Sequence, residues 1–300
     1  MERNGRLKIA LACGGTGGHI FPGLATAEAL KQRGHEVTLW LAGKDIETPA
    51  MRRWDGPMVT VRAEGLPSGF SLRAVRTAWK LACAAVTCTQ LMRHNRPDAL
   101  LAMGSYASVG PLCAALLLRV PMILHESNVL PGRAISLFAR WAAVAGSFEE
   151  TRFYLHAKEL VVTGMPLRAE LEKAAAASAI RTFDKGGLNI LVTGGSRGAR
   201  MLNEIASRAI CRVHEAGRTI RVIHLTGVAD EAAIRRVYEQ SGVPHVVQSF
   251  AQQMAEVYAD TDFVICRSGA ATCAELSAFG IPALMVPYPF AARDHQMVNA

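Results

Sequence analysis

The sequence predicts an α/β protein made of two doubly wound domains, each built on a parallel β-sheet. Two observations lead to this prediction. Short apolar segments that read as strands alternate with helical patterns along the whole chain. These segments are continuous apolar runs, which is typical of parallel strands covered by helices on both faces. The strict alternation of strand and helix implies right-handed crossovers and open sheets.

The N-terminal series of strands is interleaved with two clear helical patterns, at residues 21–33 and 72–94. Its strands are predicted at residues 7–13, 37–42, 58–62, 99–103, 122–125 and 142–145. Ligands of open α/β sheets bind at the carboxyl ends of the strands. The loops that follow these strands are therefore the places where chemistry is expected.

A second series of strands implies a second domain. These strands are predicted at residues 160–162, 189–193, 219–225, 245–248, 262–266 and 283–286, with helices at 199–216, 231–240 and 272–279. The join is predicted near Gly164, where a strand ends in turn residues and the polar, alanine-rich stretch 168–185 follows. The domains are accordingly placed at residues 1–164 and 165–300.

The composition narrows the kinds of partner that the chain can bind. A formal net charge of +8 favours anionic partners such as nucleotides, phosphates or acidic lipids. Aromatic residues make up only 6% of the chain, and no RNA-binding signature is present, which argues against a dedicated nucleic-acid binder. The seven cysteines are dispersed, with no C-x-x-C pair and no cluster at zinc spacing. They are expected to be packing thiols in a reducing compartment, and no metal site is expected.

No segment is expected to cross a membrane. The N-terminus lacks a hydrophobic signal core, and the apolar stretch near residues 111–124 is interrupted by Arg119 and Pro121. Helix 72–94 combines apolar residues at helical spacing with basic ones: Leu72, Val75, Trp79 and Val86 with Arg73, Arg76, Lys80 and Arg93. Such a helix could lie against anionic lipid, or it could simply cover a sheet. A soluble or peripheral protein is expected.

The first strand is followed by a glycine-rich loop, residues 14–19 (GGTGGH), that leads into a helix. Glycines let the backbone approach a ligand closely, and N–H groups at a helix start suit a phosphate. Ile20 stands where a dinucleotide-binding fingerprint needs its third glycine, and the second strand runs into Gly43 without an acidic residue at its end. A nicotinamide or flavin enzyme is therefore not expected. His19 is either a helix-capping residue or a functional group of this loop.

Further loops at predicted strand ends carry glycine or polar residues. They lie at residues 104–108 (GSYAS), 125–128 (HESN), 194–199 (GGSRGA), 267–275 (RSGAATCAE) and 294–296 (DHQ). Two phosphate-type turns in separate halves of the chain indicate a binding function more strongly than either turn alone. Thr272 and Glu275 also have the spacing of a capping box, so Glu275 could cap a helix, bind ribose hydroxyls, or do both.

In chain order these segments resemble the MurG family, the transferases that complete the lipid-linked disaccharide of peptidoglycan. The matching motifs are GGTGGH with FPG at 14–23, HE-x-N at 125–128, GGS-x-GA at 194–199, RSGA-x-T-x-x-E at 267–275 and DHQ-x-x-NA at 294–300. The resemblance covers nearly the whole chain. Ser105, Ser127 and Met165 depart from the family's usual Gly, Gln and Asn. Family members also continue past the last motif, so the resemblance implies a truncated C-terminal domain.

The resemblance implies a GT-B fold, in which two Rossmann-like domains with doubly wound parallel sheets face each other across a cleft. The N-terminal domain would hold the acceptor and associate with the membrane, and the C-terminal domain would bind UDP-GlcNAc. The reaction implied is inverting transfer of N-acetylglucosamine to undecaprenyl-pyrophosphoryl-N-acetylmuramyl-pentapeptide. It would occur peripherally at the cytoplasmic face of the inner membrane, serving peptidoglycan synthesis, cell shape and cell division. No cofactor and no metal are implied, because UDP-GlcNAc is a substrate.

Site residues follow from the resemblance position by position. His19 is the chosen general base because imidazole titrates near neutrality, and Glu126 could serve as the base or orient it. Amides of residues 196–199 and 268–272 would stabilise the departing diphosphate. Arg168 and Arg267 could add positive charge, or Arg267 could have a structural role instead. The implied donor contacts are Thr16, Gly17, Gly18, Asn128, Arg168, Ser196, Ala251, Ala270, Ala271, Thr272, Cys273, Ala274, Glu275 and Gln296.

Two other functions remain open at this point. A UDP-GlcNAc epimerase on the same fold would use the donor without a lipid acceptor. A non-catalytic subunit that binds the nucleotide sugar would show no turnover when the acceptor is present.

Overall fold

The computed structural model describes residues 5–15, 17–46, 51, 54–61, 72–178, 186–195 and 198–300, without the side chains of 44, 72–75 and 292. The chain forms two compact units, Met1–Arg168 and Ala169–Ala300, called unit 1 and unit 2 below. Their division falls four residues after Gly164, near which the join was predicted. Each unit contains one sheet whose strands are all parallel.

Unit 1 contains a seven-stranded sheet in the order β3-β2-β1-β4-β5-β6-β7. Its strands are β1 (Lys8–Ala12), β2 (Glu36–Ala42), β3 (Met58–Val61), β4 (Ala99–Ala102), β5 (Met122–Glu126), β6 (Ala143–Gly146) and β7 (Glu159–Val162). Its helices are α1 (Gly17–Gln32), α2 (Gly43–Ile46), α3 (Leu72–His94), α4 (Val109–Leu118) and α5 (Arg133–Phe138), with 3-10 turns at Tyr106–Ser108, Ala139–Trp141 and Glu149–Phe153.

Unit 2 contains a five-stranded sheet in the order β10-β9-β8-β11-β12. Its strands are β8 (Leu188–Thr193), β9 (Ile220–Leu225), β10 (His245–Gln248), β11 (Phe263–Cys266) and β12 (Ala283–Met285). Its helices are α6 (Ala169–Ala177), α7 (Arg200–Glu215), α8 (Glu231–Ser241), α9 (Met254–Ala259), α10 (Ala270–Phe279) and α11 (His295–Asn299), with a 3-10 turn at Ala292–Asp294.

The predicted strand at 160–162 was listed with the second series, although the predicted boundary at residue 164 places it in the N-terminal domain. In the structure it belongs to the first sheet, because as β7 it pairs with β6, from Ala143↔Glu159 to Gly146↔Val162. The connection from β6 is short, so β7 returns directly to the edge of the same sheet. Its side chains are largely exposed, as expected for an edge strand.

Two helices begin earlier than predicted. Helix α1 starts at Gly17 rather than at residue 21 and contains Pro22. Helix α10 starts at Ala270 with Gly269 as its N-cap residue. Thr272 therefore lies inside the helix, and the capping-box interpretation of Thr272 and Glu275 is wrong.

Helix α3 has buried apolar residues on one face and exposed apolar residues on the other. Ala84, Cys88 and Met92 lie on one face, are at most 3% exposed and belong to the core cluster of unit 1 or its immediate surroundings. Trp79 and Val86 lie on the opposite face and are 71% and 58% exposed. The helix thus covers the sheet and also leaves an apolar surface exposed. Among the described residues, no helix has both the length and the apolar character needed to cross a membrane.

Candidate functional site

In unit 1 the glycine-rich turn after β1 lies against the loop after β4. These two strands are neighbours at the centre of the sheet, where the strand order reverses. A Cβ atom built on Gly15 would lie 3.3 Å from Ser105 and from the ring of Tyr106, and one on Gly14 would lie 3.3 Å from Ala107. Two of the predicted loops therefore meet at the position where open α/β sheets bind ligands.

Asp45 completes this turn, although the sequence analysis did not single it out. Its carboxylate is 4% exposed, and Oδ2 accepts a hydrogen bond from the amide of Gly15 at 2.8 Å. A Cβ on Gly14 would lie 2.5 Å from the same oxygen, so a side chain there would displace it. An acidic residue does follow β2, three residues after its end at Ala42. This residue, Asp45, holds the glycine-rich turn through the amide of Gly15.

His19 lies in the first turn of α1, half-buried beside this contact. Its ring is close to Gly104, because a Cβ there would lie 3.5 Å from the imidazole Cδ2. Burial lowers the pKa of His19 to about 4, and the negative charge of Asp45 opposes that shift. The imidazole is therefore neutral at pH 7, but with this pKa it is a weaker proton acceptor than the imidazole titrating near neutrality that the sequence analysis assumed.

Glu126 holds the loop that follows β5. Its Oε1 accepts hydrogen bonds from the backbone amide of Asn128 at 2.9 Å and from the Asn128 side chain at 3.3 Å, and Oε2 accepts one from the amide of Gly132 at 2.8 Å. Burial raises the pKa of Glu126, whereas these donors lower it. Both carboxylate oxygens are engaged, which favours an orienting role over that of a base.

Arg168, the last residue of unit 1, lies beside α1. Its guanidinium carbon is 5.2 Å from the centroid of the Phe21 ring, within the range of a cation–π contact. The structure thus brings Gly17, Gly18, His19 and Arg168 to the first turns of one helix. Thr16 and Ser196, two predicted donor contacts, lie outside the described residues.

In unit 2 the corresponding turn follows β8, next to β11 at the reversal of strand order. Gly195 and Gly198 have φ values of +85° and +74°, which L side chains rarely adopt. A Cβ on Gly198 would also overlap the carbonyl oxygen of Thr226. Only glycine fits at Gly198, so the turn lies tightly against the loop after β9.

The loop after β11 is joined to the last helix by hydrogen bonds. The fully buried Ser268 donates through Oγ to the carbonyl of Gln296 at 2.6 Å, and Asn299 Nδ2 donates to the carbonyl of Ser268 at 3.4 Å. The side-chain oxygen of Gln296 accepts the amide of Tyr288 at 2.9 Å. Gln296 therefore lies next to the start of α10. A single donor molecule bound there could contact both Gln296 and α10.

Arg267 has a structural role in this loop. Its Nη1 donates to the carbonyls of Val286 and Pro287 at 3.1 and 2.8 Å, and its guanidinium lies 5.6 Å from the centroid of the Tyr288 ring. Burial lowers its pKa. These contacts fix the segment after β12, so the charge of Arg267 is directed at the protein backbone.

The remaining predicted donor residues lie along α10 and in the loop after β10. Ala270, Ala271, Thr272, Cys273, Ala274 and Glu275 are all in α10. The carboxylate Oε2 of Glu275 accepts a hydrogen bond from the hydroxyl of Tyr258 at 2.8 Å, a contact that the sequence did not indicate. Ala251 packs partly against the core of unit 2 and lines an open cavity of about 810 Å³ along β10.

No group of His, Cys, Asp and Glu side chains suited to a metal ion occurs within the part of the chain that the structure describes. All seven cysteines are unpaired, and Cys13, Cys88, Cys211 and Cys266 are buried. Burial raises the pKa of the Cys13, Cys88 and Cys266 thiols to about 12, so these three are inert packing groups.

Comparison with known proteins matches both units to one enzyme family. The N-terminal domain model of glycosyltransferase family 28 matches residues 9–147, and the C-terminal domain model matches residues 189–300. Two relatives carry the name UDP-N-acetylglucosamine–N-acetylmuramyl-(pentapeptide) pyrophosphoryl-undecaprenol N-acetylglucosamine transferase. The protein from Paramagnetospirillum magneticum is 39% identical over 97% of this chain and 80% of its own length. That from Geotalea uraniireducens is 34% identical over 98% of this chain and 81% of its own length.

Solved structures agree with this match. MurG from Acinetobacter baumannii has a TM-score of 0.76 and 28% identity, covering 98% of this chain and 82% of its own. The UDP-GlcNAc 2-epimerase of Neisseria meningitidis has a TM-score of 0.64 over 93% of this chain and 82% of its own, but only 13% identity, so it shares the fold alone.

Each of the two Rossmann-like units is matched by one domain model of the same transferase family. Together they define a UDP-sugar-dependent hexosyltransferase of the GT-B class. The sequence-based prediction of fold class is thereby confirmed. Within this class, the chain belongs to the MurG family.

Proposed function

We propose that this enzyme transfers N-acetylglucosamine from UDP-GlcNAc to undecaprenyl-pyrophosphoryl-N-acetylmuramyl-pentapeptide, the lipid I to lipid II step of peptidoglycan synthesis. The observation that carries the proposal is identity of 34–39% to transferases of that name over 97–98% of the chain. The epimerase alternative has only a shared fold in its favour. UDP-GlcNAc is a substrate, and no cofactor is needed.

On the donor side, the leaving diphosphate gains negative charge as its bond to the sugar breaks. In unit 2 the first turn of α10 presents backbone amides at the edge where ligands bind. In the turn after β8, the amide of Gly195 already donates to Thr193 Oγ1 and the amide of Gly198 to the carbonyl of Gly195. The N-cap of α10 is Gly269, which has no side chain to occupy the amides of that helix. Amides already in place stabilise such charge without reorganising, which supports a donor site here. Glu275 would accept the ribose hydroxyls.

On the acceptor side, His19 is the proposed general base. The acceptor hydroxyl oxygen attacks the anomeric carbon as the carbon–oxygen bond to UDP breaks, and the hydroxyl proton passes to the imidazole. Attack opposite the leaving group inverts the anomeric centre. His19 is neutral at pH 7 and lies in the first turn of α1, beside the glycine turn that Asp45 holds, which supports this role. Glu126 would orient the adjacent loop, and the donor contacts predicted in unit 1 remain predictions.

Unit 1 is also the proposed site of attachment to the membrane. The outer face of α3 exposes Trp79 and Val86, and α4 exposes Leu117 at 70%. Arg76, Lys80 and Arg93 are exposed on the same helix α3. Apolar side chains among basic ones suit a surface of anionic lipid. Such attachment would place the enzyme peripherally at the cytoplasmic face of the inner membrane, with a role in cell shape and division.

A transfer assay with radiolabelled UDP-GlcNAc tests the proposal. Label should enter the lipid-linked muramyl-peptide when the acceptor is present, and UDP-GlcNAc should stay unchanged when it is absent. Conversion of UDP-GlcNAc without acceptor would identify an epimerase instead. Binding of UDP-GlcNAc with no turnover in the presence of acceptor would identify a non-catalytic subunit.

A further inference from the structure

We propose that Tyr258 is the positioning residue for the carboxylate of Glu275. This inference rests on the proposed role of Glu275 in binding the donor's ribose hydroxyls. Tyr258 lies in α9, outside all of the sequence motifs, and its hydroxyl donates a hydrogen bond to Glu275 Oε2 at 2.8 Å. A tyrosine from one helix thus reaches the predicted ligand-binding side chain of another.

The ring of Tyr258 is held firmly enough to set the position of its hydroxyl. Tyr258 is 2% exposed, and its ring centroid lies 5.3 Å from that of Phe279 at an interplanar angle of 44°. Phe279 follows Glu275 by one helical turn on α10, so both contacts of Tyr258 fall on one face of that helix. Leu171 and Leu276 belong to the same buried cluster. A ring packed in this way cannot change rotamer without opening the core.

A fixed carboxylate is what recognition of a ribose requires. Two neighbouring hydroxyls are bound best when both oxygens of one carboxylate face them together. A glutamate has three side-chain torsions, and holding them at the moment of binding reduces affinity. Each carboxylate oxygen accepts more than one hydrogen bond, so Oε2 can keep the Tyr258 proton and also accept a ribose hydroxyl. Tyr258 would therefore fix Glu275 before the donor arrives.

A purely structural role makes a different prediction. A buried tyrosine hydroxyl needs an acceptor, and Glu275 would satisfy it even if no ligand were involved. In that case the loss of the hydroxyl lowers stability but leaves the recognition of ribose unchanged. The preference for UDP over its deoxyribose analogues therefore separates the two roles.

The experiment measures binding of UDP, 2′-deoxy-UDP and 3′-deoxy-UDP by calorimetry to the wild type and three variants. Tyr258→Phe removes the positioning hydroxyl, and Glu275→Ala removes the carboxylate. Tyr238→Phe is the matched control, because Tyr238 is a fully buried tyrosine of unit 2 whose hydroxyl pairs with His224 Nδ1 at 3.0 Å. Tyr258→Phe should reduce the preference for UDP by about five- to tenfold. Glu275→Ala should abolish the preference, and Tyr238→Phe should keep it.

The remaining outcomes separate the inference from the function on which it rests. If Glu275→Ala loses the preference and Tyr258→Phe keeps it, the positioning role is wrong and the ribose role stands. If Glu275→Ala keeps it, both roles are wrong. Equal losses in the two tyrosine variants would indicate general loosening of unit 2 and would also overturn the inference. For a variant too unstable for calorimetry, the rise in melting temperature caused by each nucleotide gives the same comparison.

Discussion

The amide of Gly15 and the carboxylate of Asp45 are joined by a 2.8 Å hydrogen bond across thirty residues of sequence. The bond ties the turn after β1 to the residues that follow β2, beside the imidazole of His19. Asp45 therefore acts on this turn in two ways. It satisfies a backbone donor, and its charge favours the protonated form of His19.

These two effects can be separated by two substitutions of Asp45. Asp45→Asn keeps an oxygen acceptor for Gly15 but removes the charge, so the pKa of His19 should fall below its value of about 4. The acid limb of the kcat/KM profile should then move to lower pH. Asp45→Ala also removes the acceptor and should lower the free energy of unfolding by about 1–3 kcal/mol. An acid limb at the wild-type position in Asp45→Asn would show that this charge does not act on the base.

His19→Ala should reduce kcat by roughly two to four orders of magnitude if His19 is the general base. The Kd for UDP-GlcNAc should change far less, because the backbone amides of unit 2 remain. In the wild type, the base must be deprotonated to act, and a pKa of about 4 keeps it so across the neutral range. Activity should therefore fall only as the pH approaches 4. Retention of most of the kcat by His19→Ala would move the base role elsewhere.

Ser105→Gly should stabilise the protein. Ser105 has φ 67° and ψ 172°, a region used almost only by glycine, and its Oγ accepts the amide of Ala107 at 3.1 Å. Relief of the strain should outweigh the loss of this bond by about 1 kcal/mol, or about 2–4 °C in Tm. Ser105→Ala keeps the strain and loses the bond, so its Tm should fall. A lower Tm in Ser105→Gly would show that the backbone here is not strained.

Gly195→Ala and Gly198→Ala form a matched pair in the turn after β8. Both residues have positive φ, which costs an alanine about 1–2 kcal/mol. Only Gly198 also faces a backbone carbonyl, that of Thr226, whereas a Cβ on Gly195 has no described atom within 4 Å. Gly198→Ala should therefore lower Tm and weaken UDP binding much more than Gly195→Ala. Equal effects in thermal unfolding and calorimetry would mean that the turn moves to accommodate the methyl group.

Reversal of charge on α3 tests attachment to the membrane. Changing Arg76 and Lys80 to Glu should weaken binding to anionic vesicles by about 1 kcal/mol or more per reversed charge. Transfer to a short-chain, soluble acceptor should be spared. The control changes Arg218 and Arg221 to Glu, an equal change in net charge at exposed positions of unit 2. Equal weakening by both pairs would indicate an effect of total charge rather than docking by α3.

Most of the fold could be predicted because each strand is a continuous apolar run bounded by turn residues. Local pattern does not say which sheet a strand joins, and this is why residues 160–162 were placed in the wrong series. Local pattern also predicted that α1 starts at residue 21, because the preceding Gly17 and Gly18 are poor helix formers. The helix starts at Gly17 all the same, and within it a Cβ on Gly23 would lie 2.7 Å from the Cys13 side chain. That contact brings α1 directly against β1.

The candidate site could be predicted only where its residues lie in strand-end motifs. His19 and Glu126 do so, and the structure places both at the carboxyl edge of the first sheet. Asp45 and Tyr258 lie outside such motifs and act through partners 30 and 17 residues away. The carboxylate contacts of Glu126 were equally hidden, because a hydrogen bond to Gly132 leaves no pattern in composition or spacing.

Strand β1 of the first sheet pairs with two neighbours that are synthesised at very different times. Lys8 of β1 lies opposite Glu36 of β2, but Ile9 must also find Ala99 of β4. A nascent chain can therefore form one side of this ladder early, while the other side stays open until some sixty further residues have been made. Parallel pairing over such separations is slow and leaves strand edges exposed. We expect the first half of this enzyme to need chaperones during synthesis until β4 has been made.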